Sequence, residues 1–231
     1  MSFDADDPWP FQRELDLRSG PLISVTTILR RSGMVRFHQS KQHIAQLAQE
    51  GRDVHQVCED IARKGTGDYW SDLAAVAPYA RGFLKFIADF NFQVEMIEER
   101  LVHPHLGYSG RLDMAGWLFG NSRSRRRLTI VDVKLGCQAP SHQYQTVGYA
   151  ELVNLAKRFG NAMVTERWCI YLQSEKYIPK QHDNPHDFLH FTGLLTTARL
   201  REKAGLISER DETAFDDLLA HPENEWVEPR L

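Results

Sequence analysis

Ile130-Val131-Asp132-Val133-Lys134-Leu135 sets two charges inside a run of aliphatic and β-branched residues. Such a run reads as a central strand. Side chains alternate along a strand, so Asp132 and Lys134 share one face while Val131 and Val133 point into the opposite layer. On an exposed strand an Asp-x-Lys pair is an ordinary surface ion pair of little consequence. Within a central strand the same charges are costly to desolvate, and a functional site explains them better than idle surface chemistry.

The surrounding patterns predict a mixed α/β protein: a central four- to five-stranded mixed sheet flanked by helices. The 231 residues form a single domain with four stretches: an irregular arm over 1–22, a helical region over 23–91, a catalytic core over 92–181 and C-terminal helices over 182–231. Ser24 is placed to cap a short helix. Ile44, Leu47, Val54, Cys58 and Ile61 recur at helical spacing and predict one helix from Lys41 to Lys64, with Gly51 on the same stripe. After a turn at Gly65 to Gly67, Leu73, Val76, Ala80, Phe83, Leu84, Ile87 and Phe90 predict another, kinked or restarted at Pro78. Gln93 to His103, Gly110 to Phe119 and Leu128 to Leu135 then read as three strands of a meander, the last two joined by an Arg-rich hairpin tip over Gly120 to Arg127. A helix from Ser141 to Phe159, with Tyr144, Val147, Leu152 and Leu155 inward, leads to a strand over Met163 to Leu172. Tyr177 to Lys180 reads as an edge strand limited by Pro179, and helices over Asp187 to Lys203 and Asp211 to Ala220 close the chain.

Composition narrows the function classes. Hydrophobic residues make up 42% and charged residues 26%, ordinary globular values. No apolar run approaches the roughly 20 residues of a membrane span, and the acidic start Met1 to Asp7 lacks the positive charge of a signal peptide, so no membrane association and a cytoplasmic location are expected. The three cysteines, Cys58, Cys137 and Cys169, are too scattered for a disulfide framework, a thiolate metal cluster or an iron–sulfur cluster. The net charge of −3 advertises no global affinity for nucleic acid, so any such binding must come from local patches. No Gly-rich phosphate loop supports ATP or dinucleotide chemistry.

If the Arg-rich hairpin pairs its two strands, Asp113 comes beside Asp132, giving two carboxylates and one ammonium on one sheet face. Hard oxygen donors so arranged suit Mg²⁺ or Mn²⁺. Such an ion polarises a phosphoryl oxygen and acidifies a water, while Lys134 positions that water or stabilises developing negative charge.

Gly110 to Asp113, Val131 to Gly136 and Gln145 to Tyr149 together resemble the Gly-x-x-Asp, hydrophobic-Asp-x-Lys-x-Gly and Gln-x-x-x-Tyr elements of the PD-(D/E)XK nuclease superfamily, in its RecB-like, phage-type exonuclease branch. The resemblance spans roughly Ser24 to Leu172 and implies a restriction-endonuclease-like core; Leu112 stands where the family's name has proline. It implies that Asp113 and Asp132 are metal ligands, with the Val133 main-chain carbonyl a further donor, that Lys134 is the catalytic lysine, and that Gln145 and Tyr149 orient the lysine or the DNA backbone. Gly51-Arg52-Asp53-Val54-His55 resembles the helix whose histidine reaches the metal in this branch, which makes His55 a ligand. Glu98 resembles an acidic residue upstream of Gly-x-x-Asp. Strand parity turns Glu99 the other way, so only one of the two joins the site.

Arg123, Arg125, Arg126 and Arg127 offer either a phosphate grip or a solvated hairpin tip. His182, His186 and His190 recur every four residues, but Pro185 breaks the helix a zinc face would need, and surface histidines are the better reading. The expected activity is metal-dependent hydrolysis of DNA, as an exonuclease in recombination, repair or phage DNA processing, through sequence-independent phosphate contacts and with a recombination or replication protein as a possible partner. The alternatives are a structure-specific or restriction-like endonuclease using the same residues, and a non-catalytic nucleic-acid-binding or assembly subunit.

Overall fold

The computed structural model describes residues 22–35, 41–65, 75–119 and 126–207. In chain order the elements are β1 (Ile23–Ser24), α1 (Val25–Arg31), α2 (Lys41–Lys64), α3 (Ala77–Phe90), β2 (Phe92–Ile97), β3 (Arg100–His103), β4 (Tyr108–Arg111), β5 (Met114–Leu118), β6 (Arg127–Leu135), α4 (Ser141–Ala156), β7 (Glu166–Gln173), β8 (Lys176–Gln181) and α5 (Asp187–Lys203). The fold is mixed α/β. Its main sheet has five strands in the order β2-β5-β6-β7-β8, with β6 and β7 parallel and the other neighbours antiparallel. This matches the expected mixed sheet with Asp132 and Lys134 on its central strand.

A second, three-stranded sheet in the order β1-β4-β3 was not anticipated. It arises because two of the three predicted strands are each broken. Gln93 to His103 divides into β2 and β3, and Gly110 to Phe119 into β4 and β5. The two halves form one long hairpin that bends from sheet to sheet. At the bend the arms stay joined, Glu98 N–H donating to the Asp113 carbonyl at 2.9 Å and Leu112 N–H to the Glu99 carbonyl at 3.2 Å. The bend is local backbone chemistry: Glu98 has φ +53° and the β2–β5 register shifts between Val94 and Met96.

Two apolar layers cover the main sheet. On one face Val54, Cys58 and Ile61 of α2 and Phe83 and Phe86 of α3 pack on Val131, Val133, Ile170 and Leu172. On the other, α1, α4 and α5 pack through Ile28, Leu152 and Phe191 in one core with Ala115 and Ile130 of the main sheet and Leu101 and Tyr108 of the second sheet. Ser24 caps α1, its hydroxyl accepting from Thr27 N–H at 3.1 Å. Pro78 sits in the first turn of α3, where its missing N–H has no intrahelical partner to lose, so it starts the helix. Edge strand β8 tolerates Pro179 as expected.

Element ends differ modestly from expectation. α4 stops at Ala156, where Lys157 turns left-handed at φ +52°, and Leu155 is 37% exposed instead of inward. Met163 is 57% exposed, ahead of the strand that begins at Glu166. The side chains of Ile44 and Leu47, the irregular arm through residue 21, Gly67, Leu73, the hairpin tip at 120–125 with Arg123 and Arg125, and the helix Asp211 to Ala220 lie outside the described residues. Among the described residues no helix is long and apolar enough to cross a membrane.

Candidate metal centre

The Met114–Val131 pair closes the β5–β6 ladder, so the next residues outward, Asp113 and Asp132, come together as the hairpin argument requires. Asp113 lies at the bend, one residue before β5. Its Oδ2 accepts the Val133 main-chain N–H at 2.7 Å, which fixes the carboxylate against β6. Val133 therefore touches the site through its backbone while its side chain is buried in the opposite layer.

His55 projects from α2 at the edge of the buried stripe. Its Nδ1 is 3.5 Å from Asp113 Oδ2 and 3.9 Å from Glu98 Oε1. His55, Glu98 and Asp113 each offer one ligand atom, and these atoms lie within 4.8 Å of one another, a grouping able to hold a metal ion. Glu98 is placed there by the left-handed bend and not by strand parity. Its other oxygen takes Arg111 Nε at 2.8 Å, while Glu99 turns away to Arg158 at 3.3 Å. One of the two glutamates joins the group, though the alternation that led to this expectation does not operate at the bend.

Asp132 and Lys134 stand beside this trio. Asp132 is fully buried, its Oδ2 2.6 Å from Lys134 Nζ and 3.6 Å from Cys169 Sγ, and its Oδ1 has no hydrogen-bond partner among the described residues. Burial pushes the Asp132 carboxyl above its ordinary range, Lys134 pulls it down, and Asp113 adds to the rise. For Lys134 burial favours the neutral amine, but Asp132 and Asp113 outweigh it and hold the group as an ammonium. His55 shows the same competition: burial lowers its pKa, while the carboxylates of Asp113, Glu98 and Asp132 raise it to a net increase. An oxygen acceptor left unpaired at 0% exposure is uncommon and costs roughly 1–3 kcal/mol.

α4 closes the site. Gln145 Nε2 donates to Tyr149 OH at 3.1 Å, one helical turn on, and the buried Tyr149 ring lines the cavity. Gly110 makes this approach possible, since a Cβ there would stand 2.8 Å from the Tyr149 ring. Gly110→Ala is expected to cost about 1–3 kcal/mol through forced displacement of Tyr149, measured as a fall in the urea midpoint with an unchanged slope.

The cavity, about 800 Å³, is bounded by α2, the β1–α1 junction, β3, β4 and Tyr149, with His55, Glu98, Asp113 and Lys134 in its wall. Sequence reading missed several residues that meet this centre. Cys169 and Tyr171 of β7 pair with Asp132 and Lys134, and Tyr171 OH lies 2.7 Å from His142 Nδ1. The parity of β7 carried that signal once β6 and β7 are known to be parallel neighbours. Arg100 and Arg111, directly opposed on β3 and β4, also line the cavity. Of the hairpin arginines, Arg126 lies over the Trp117 ring at 4.4 Å and Arg127 pairs with Glu166 at 2.9 Å, so both have structural partners. His182, His186 and His190 form no metal-holding group among the described residues.

No family model and no curated protein matches the chain. Among solved structures it is similar to that of SSO0001, with 14% identity over 86% of this chain and 84% of that one and a TM-score of 0.38. At that level of likeness the functional reading is carried by the site's own residues.

Proposed function

We propose that the chain is a Mg²⁺- or Mn²⁺-dependent deoxyribonuclease of the PD-(D/E)XK type, acting as an exonuclease in recombination, repair or phage DNA processing. The observation that carries this reading is the His55–Glu98–Asp113 ligand group sharing a cavity with Lys134, which the buried Asp132 holds from behind at 2.6 Å. The oxygen-rich donor set and the unpartnered Asp132 Oδ1 fit a hard divalent cation. His55, Glu98, Asp113, Asp132 and the Val133 carbonyl are the groups that would hold it. Bound there, such an ion supplies Lewis acidity toward a phosphoryl oxygen and acidifies a water. Lys134, kept cationic by Asp132, would donate to a non-bridging phosphate oxygen and offset the charge that grows as water's oxygen bonds to phosphorus while the bond to one sugar oxygen breaks, that oxygen leaving as a hydroxyl with a proton taken from solvent. Gln145 and Tyr149, joined by their hydrogen bond, orient the lysine or the DNA backbone. The reading places the protein with DNA in the cytoplasm, alongside recombination or replication proteins.

The test is incubation of the pure protein with end-labelled linear DNA and covalently closed circles, with and without Mg²⁺ or Mn²⁺. Linear DNA is expected to be degraded progressively to short products while circles survive, with activity falling as salt rises. Nicking of the circles would move the assignment to an endonuclease; no cleavage of either would leave a nucleic-acid-binding subunit. His55→Ala is expected to raise the Mg²⁺ concentration for half-maximal activity about 10- to 100-fold, since one of the few protein ligands is lost. An unchanged requirement returns His55 to a packing role.

A further inference from the structure

The wall of the cavity carries Arg52, Arg100 and Arg111 beside the carboxylates. Arg100 and Arg111 are direct cross-strand partners on β3 and β4, a placement in which like charges repel. Arg111 is neutralised by Glu98, but the Arg100 side chain has no hydrogen bond or ion pair among the described residues. Arg52 sits one helical turn before His55 on α2 and lines the same cavity. Gln49 holds its Nη2, while Nη1 is buried with no partner among the described residues. Three arginines thus line one space, and among the described residues one buried donor there, Arg52 Nη1, has no partner.

We infer that Arg52, Arg100 and Arg111 bind a second phosphate, adjacent to the one at the carboxylate centre, and that the strand enters this cavity unpaired. The inference deepens the nuclease reading and rests on it for the identity of the anion. A phosphate supplies acceptors for Arg52 Nη1 and Arg100 together, and guanidinium forks match its oxygens. Side chains three apart on a helix stand about 5–6 Å apart at Cβ, so Arg52 is offset from the His55 centre by a short step along the same wall. The single-strand requirement follows from size. A cavity of about 800 Å³ is on the scale of a small-ligand pocket, room for a short stretch of one strand and not for two paired strands. The open space beside Gly51, where a Cβ would meet nothing within 4 Å, leaves room for the strand next to Arg52.

Fluorescence anisotropy in Ca²⁺, with labelled oligothymidylate and a labelled hairpin duplex as probes, tests this on the full chain. The single strand is expected to bind about tenfold or more tightly than the duplex. Arg52→Gln and Arg100→Gln are each expected to weaken single-strand binding about tenfold and to reduce the slope of log affinity against log salt by about 0.7. Arg100→Lys is expected to keep the slope while losing part of the affinity, because the charge remains and the fork does not. Unchanged affinity and slope in both glutamine variants overturn the phosphate site, and equal binding of the duplex overturns the single-strand requirement. Mg²⁺-dependent cleavage of the same oligonucleotide by the unaltered protein is scored separately. Cleavage without arginine-dependent binding sinks this inference alone, and arginine-dependent binding without cleavage sinks the nuclease reading alone.

Discussion

Asp132→Ala is expected to abolish DNA cleavage while the protein stays folded, and Asp113→Ala to do the same. Asp132 is the fully buried carboxylate that anchors Lys134, and Asp113 ties the ligand group to β6 through Val133 N–H. Lys134→Ala is expected to lower the rate by on the order of 10²–10⁴-fold, since it removes a positioned proton and charge donor but not the ligands. Circular dichroism separates these losses from unfolding. In Asp132→Ala the freed ammonium is 18% exposed and able to turn toward water, so the penalty for an orphaned charge should stay below the roughly 3–5 kcal/mol of a fully buried pair. Full cleavage by a folded Asp132 variant would remove the site assignment at once.

Chelation should be equally complete in effect. With EDTA no cleavage is expected, Mg²⁺ or Mn²⁺ should restore it, and Ca²⁺ should support DNA binding with little turnover. Calcium accepts the same oxygens at about 2.3–2.6 Å with loose coordination, against about 2.0–2.1 Å and strict octahedral geometry for magnesium, so it acidifies and places a water less well. A discontinuous assay following product length over time in each metal reads this directly. Cleavage in calcium at the magnesium rate contradicts it.

The parts of this site that could be read from sequence are those where backbone geometry is regular. β6 is a continuous nine-residue strand, so alternation correctly set Asp132 and Lys134 on one face and Val131 and Val133 on the other. The antiparallel pairing of β5 with β6 likewise brought Asp113 to Asp132. Glu98 could not be oriented by the same rule, because a left-handed residue resets the alternation. β1 left no local trace, being two residues long and paired with β4 far along the chain. His55 emerged through family resemblance, since its place at the edge of the α2 stripe is equally typical of packing. The cross-strand arginines needed a register that exists only once the long hairpin is known to pair along both halves.

The bent hairpin has a thermodynamic corollary. His55, Glu98 and Asp113 come from a helix and from the two arms at the elbow, so no short stretch of chain carries the trio when the two sheets and α2 are apart. A cation that recognises all three binds the assembled state and not the unfolded one, and at a hundredfold excess over its dissociation constant this linkage adds about 2.7 kcal/mol to folding. The ion would then act as a rivet at the joint between the sheets, and scarcity of metal would loosen the joint through which the same ion serves chemistry.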